Sequence, residues 1–229
     1  MPHQEPEAQG LPRLARTVLD FWFSLERPGE KDDALIRAAL GGFYEQAAMG
    51  ALDDWVAHPR GRLALILLVD QVPRHLYRKD ARAFATDPKG QHLAAPFFEP
   101  QSPWVGWPPH ERIYAALPWL HAEHLERQQR VNPVMKALAL EAPTLNFAGR
   151  MSDLYLETIT RFGYFPHRHT LRGHALTPEE AQFLTQRWHP RRNGLLAELR
   201  TPPGPEGQHP RSASPPPRPQ PPLHSEPQA

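Results

Sequence analysis

An all-α fold, a single domain built as an array of antiparallel helical hairpins, is predicted by three features of this chain. Apolar residues recur at three- and four-residue spacings through most of it. No stretch sustains the apolar–polar alternation of a half-buried strand. The periodic segments are short and joined by short connections, the pattern of stacked helical hairpins. The helical domain is expected over residues 11–198, between a loose N-terminus (1–10) and a disordered tail (199–229).

The first helix is expected from Leu11, Leu14, Val18, Phe21, Trp22 and Leu25, with Pro12 in its first turn. Asp32 or Asp33 can cap a second helix carrying Ile36, Leu40, Phe43, Tyr44 and Ala47 and ending at Gly50. Gly41 and Gly42 within it each cost about 1 kcal/mol against alanine, which predicts a bend. Arg62 to Leu68 is apolar almost all round, as in a central buried helix. Asp87-Pro88 starts another helix and His110–Leu120 forms the next. His121–Leu140 is expected to continue it, with a break at Asn132-Pro133, where proline removes a backbone donor. Leu145, Ala148, Met151, Leu154, Tyr155, Ile159 and Phe162 form a stripe ending at Gly163. Thr177-Pro178-Glu179-Glu180 reads as a capping box for a last helix through Phe183, Leu184 and Trp188.

Composition excludes several classes of function. The net charge of +1 gives no electrostatic drive toward nucleic acid or an acidic membrane. The absence of cysteine removes disulfides, thiol catalysis and thiolate metal sites, and fits a reducing, cytoplasmic setting. The N-terminus has acids and prolines where a signal peptide needs a basic start and an apolar core, and the run from Leu63 to Val69 is too short to span a bilayer. The tail is rich in Pro, Gly, Ser and Gln, and its Pro216–Pro219 segment offers a PxxP with Arg218 inside it.

Three constellations exceed what helix building requires. Asp70-Gln71-Val72-Pro73-Arg74 follows the most apolar helix, so the Asp70 carboxylate must be paired with a cation or several donors. Arg74, one turn on, is a candidate, and a structural ion pair would read the same. His121 and His124 lie i, i+3 around Glu123, expected on one helix face with Glu123 turned away. The spacing is not HExxH and no third ligand is evident, so no metal site is assigned. Arg161-Phe162-Gly163-Tyr164-Phe165-Pro166-His167-Arg168-His169 ends a helix in an aromatic turn dense with cationic donors. Phosphate-cradling loops, dinucleotide glycine motifs and serine-nucleophile elbows are absent, and the sequence names no cofactor.

With Val18–Phe23, Asp70–Arg74, Tyr77-Arg78, Ala81–Asp87, Leu120–Glu123, Arg161–Arg168 and Thr177–Glu180, the chain resembles the bacterial domain-of-unknown-function family 924 from about residue 14 to 188. The resemblance implies a TPR-like all-helical fold and carries no established activity. Departures from the family pattern stand at His75 and His169 (commonly asparagine), Ala122 (serine), Tyr155 (histidine) and His174 (arginine).

Together these observations predict an interhelical pocket for an anionic small molecule, held by Arg74, Arg161 and Arg168. His121 or His167 is the candidate acid or base, and Asp70 or Glu123 the group orienting it. The competing expectation is a TPR-like scaffold that binds a peptide or protein without catalysis.

Overall fold

The computed structural model describes residues 10–25 and 28–188; the segment before Gly10 and the proline-rich tail lie outside the described residues. Among the described residues the chain is helical, with no strand. The helices are α1 (Arg13–Phe23), α2 (Asp33–Ala48), α3 (Pro59–Ile66), α4 (Val72–Leu76), α5 (Asp87–Ala94), α6 (Pro109–Leu120), α7 (Leu125–Glu141), α8 (Asn146–Phe162), α9 (Pro166–Leu171) and α10 (Pro178–Arg187). None is long and apolar enough to cross a membrane.

Consecutive helices pack together at α6–α7 and α7–α8, whereas in the first half α1 lies on α3 and α2 on α4. The core runs along α3 and into the segment after it, with Leu63 through Val69 all fully buried. A helix apolar on every side must be surrounded, and α1, α5 and α6 surround it. On α1 the buried stripe is Ala15, Val18, Leu19 and Trp22, which keeps Val18 and Trp22 of the expected one but replaces Leu14, half exposed, by Ala15.

Helix α2 runs through Gly41 and Gly42 as one helix, with Ile36, Leu40, Tyr44 and Ala47 along its buried face. One more expectation, the break at Pro133, is corrected. Helix α7 likewise runs through Pro133. Packing along α8, with Asn132 Nδ2 donating to Ser152 Oγ at 3.1 Å and Asp153 Oδ1 at 2.9 Å, outweighs the one lost backbone bond. The chain breaks instead at His121–His124. There the side-chain amide of Gln128 donates to the carbonyls of Leu120 (2.6 Å) and Ala122 (2.8 Å), satisfying the end of α6. The Thr177 capping box forms as expected, Thr177 N donating to Glu180 Oε2 at 2.6 Å and Glu180 N to Thr177 Oγ1 at 3.2 Å.

Candidate functional site: a buried acid–arginine–histidine cluster

Between α3 and α4 the helix widens into a single i→i+5 turn, Leu67–Gln71, where the Val72 amide donates to the Leu67 carbonyl. Pro73 has no N–H for the carbonyl of Val69, which accepts instead from the Thr86 hydroxyl at 2.5 Å. This bond ties Thr86, and with it the start of α5, to the turn that carries Asp70. A proline placed four residues after Val69 therefore helps bring Asp87 beside Asp70.

Asp70 is fully buried and its carboxylate is densely satisfied. His121 Nδ1 lies 3.0 Å from both oxygens, Gln71 Nε2 donates to Oδ2 at 2.6 Å, and Arg74 Nη1 stands 3.5 Å from Oδ1 while donating to the Asp70 carbonyl. Burial alone would raise this carboxyl's pKa, but Arg74, His121 and Gln71 more than offset it, and the group is held well below the usual carboxylate range. An ionised Asp70 only accepts, so His121 donates from Nδ1, which in the neutral ring makes Nε2 the nitrogen with the lone pair. Among the described residues none hydrogen-bonds that nitrogen.

Asp87 binds two arginines. Arg74 reaches both its oxygens, at 3.0 and 3.2 Å, and Arg168 Nη1 donates to Oδ2 at 3.1 Å and to the His121 carbonyl at 3.0 Å. Asp87, Arg74 and Arg168 are all buried. The Arg168 guanidinium lies 4.4 Å from the Phe84 ring centroid and 4.6 Å from that of Phe165, so aromatic faces cover it. Asp70, Arg74, His121 and Arg168, far apart in sequence, meet in one cluster.

The other expected residues make different contacts. Arg161 is exposed and pairs with Glu179 at 2.7 Å. Glu123 accepts the Phe165 amide at 3.0 Å and faces Arg172 at 3.7 Å, fixing the entry to α9. His167 packs its ring 4.5 Å from that of Trp188. His121 and His124 do not share a helix face: His121 closes α6 and is buried, while His124 precedes α7 in extended backbone and is exposed. Among the described residues no group of three or more histidine or acidic side chains is arranged to hold a metal. Asp87 and Phe84 were not singled out from sequence. The available signal was charge balance: two arginines entering an apolar interior need two acids, and Asp70 is only one.

A second histidine–acid contact lies at α2–α4. Asp33 accepts from Arg78 Nε at 2.6 Å and Nη2 at 2.5 Å and lies 2.8 Å from His75 Nδ1. Burial raises the Asp33 pKa, but the Arg78 and His75 hydrogen bonds outweigh it, so the value is lowered. Burial pushes His75 down, only partly opposed by Asp33. A histidine held neutral by folding binds its proton more readily when unfolded, so stability falls as pH drops below about 6.5. Asp33 adds its own loss only in more acid solution, as pH falls below about 4. The thermal midpoint of H75N should therefore decline less between pH 7 and 5 than that of the wild type. Parallel declines would show that His75 contributes no such linkage.

A family model described as bacterial protein of unknown function (DUF924) matches residues 15–187. The solved structure titled as a protein of unknown function, ATU0120, from Agrobacterium tumefaciens is 28% identical, with a TM-score of 0.62 over 75% of this chain and 96% of that one. No curated protein matches. The matched span runs from within α1 to the end of α10 and includes every residue of the buried cluster, and the chain belongs to the bacterial DUF924 family.

Proposed function

We propose that this protein binds an anionic small molecule at the buried cluster and transfers a proton to or from it through His121. The observation that supports this most is the Asp70–His121 contact, with both carboxylate oxygens 3.0 Å from Nδ1. Fixing the tautomer this way makes Nε2 the working atom, a base when neutral and an acid once protonated. Asp70 is a positioning residue: it orients the ring and stabilises the imidazolium formed when Nε2 takes a proton. Arg74, at the Asp70 carboxylate, and Arg168, at the His121 carbonyl, supply positive charge in the same cluster, and the surrounding apolar packing strengthens their effect by excluding water. The cysteine-free composition fits a cytoplasmic role.

The test has two stages. Ligand-observed NMR with a panel of anionic metabolites identifies compounds that bind the wild-type protein, and each binder is then followed for chemical change. H121N is expected to retain binding while turnover falls at least 100-fold, within the range that general acid–base catalysis contributes. Turnover by H121N at the wild-type rate, or binders that the wild type never alters, would exclude the acid–base role. The cluster would then be a structural tie between helices, as the protein-binding scaffold expects.

A further inference from the structure

Arg168 differs from four other arginines of this chain in how it uses its guanidinium. A guanidinium has a side-on edge, made by Nε–H and the adjacent Nη2–H, that matches the two oxygens of a carboxylate. Arg78 sets this edge on both oxygens of Asp33 (2.6 and 2.5 Å), while Arg82 turns it to one oxygen of Asp80 (3.1 and 2.9 Å), Arg161 to one oxygen of Glu179 (2.8 and 2.7 Å) and Arg187 to one oxygen of Glu157 (3.2 and 2.5 Å). Arg168 is the most buried of the five, at 2% exposed, yet only its Nη1 is used. Its Nε and Nη2 are buried and, among the described residues, have no hydrogen-bond partner. A buried charged donor pair left unmatched is costly, and nothing in helix packing requires it.

We infer that the Nε–Nη2 edge of Arg168 is the anchoring site for the carboxylate of a small organic acid, seated between Phe84 and Phe165 beside His121. This deepens the site proposed above and rests on that reading for the location of the ligand, but not on the acid–base step. Planarity favours a carboxylate, since the rings of Phe84 and Phe165 lie close to the guanidinium. Charge favours a monoanion. Asp70 and Asp87 already balance Arg74 and Arg168, so a dianionic phosphate would leave twice the uncompensated negative charge. The edge is closed in the free protein, so entry requires the surrounding side chains to shift and association is slower than a simple encounter.

The Nε–H resonance of Arg168, assigned through its side-chain carbons in the full-length wild-type protein, reads this directly. Titration with acetate and propionate should move it saturably, while inorganic phosphate at matched ionic strength should leave it near its starting position. R168K keeps the charge and loses the fork, and should weaken the best carboxylate at least tenfold, while H121N should bind it nearly as wild type does. An Nε–H signal unmoved by every carboxylate, or moved equally by phosphate, overturns the inference. The two proposals separate cleanly: carboxylate binding without turnover defeats only the proton transfer, and turnover with a silent Arg168 signal defeats only the anchor. The wild-type titration decides the matter even if R168K does not fold.

Discussion

Replacing Asp87 by alanine is expected to destabilise the protein by about 3–5 kcal/mol, the cost of breaking a buried ion pair by removing one partner. The size of the effect follows from what remains. Arg74 loses both bonds to the Asp87 carboxylate and Arg168 loses one, leaving two buried guanidinium groups to share Asp70, which already serves His121 and Gln71. Urea unfolding of D87A should show the loss as a lower midpoint at unchanged slope. D80A makes the control: its partner Arg82 is mostly exposed, and such pairs seldom stabilise measurably. Equal midpoints for D87A and D80A would show that the cluster does not hold the helices together. A second comparison refines the reading, because D87A and R168A meet at one contact and their costs should fall short of adding.

Gly61→Ala should cost about 3 kcal/mol, the upper end of what overpacking usually takes. Gly61 lies in α3, where the helix passes the turn Asp53–Ala57. A Cβ there would stand 2.4 Å from the Trp55 carbonyl oxygen and 3.2 Å from its carbon. Both are backbone atoms and cannot swing aside, so either the turn or α3 must move. Gly42→Ala is the contrast, since a Cβ at Gly42 meets nothing within 4 Å. It should stabilise by up to about 1 kcal/mol through helix propensity alone. Thermal melts of the two variants check both signs, and a G61A protein as stable as wild type would mean the helix and turn separate freely. Because α3 leads directly into the Asp70 turn, G61A should also weaken any carboxylate bound at Arg168.

Helical class, the buried character of α3, the start of α5 and the capping box of α10 were legible in the residues themselves. Each rests on local physics: a period of 3.6, an all-apolar run, a proline at a first turn, a side chain reaching a nearby amide. Helix ends and registers were less legible. Pro133 predicts a break by removing a donor, but packing of α7 on α8 is a long-range energy that the local pattern does not contain. For the same reason the sequence could not show that α6 ends at His121, which turns His121 inward and His124 outward.

The sequence by itself determined that Asp70 would be buried and need a partner, because it directly follows seven apolar residues. Only the tertiary structure decided that His121 orients against it, that Arg74 and Arg168 converge on Asp87, and that Arg161 faces water with Glu179. The two arginines occur in equally cationic surroundings along the chain. What separates them is helix packing: Arg168 sits on α9, which Glu123 fixes against the end of α6 through the Phe165 amide, whereas Arg161 lies on the exposed side of α8. Charge type is a property of the residue, but the partner it meets, and so its chemistry, is set by which helices close around it.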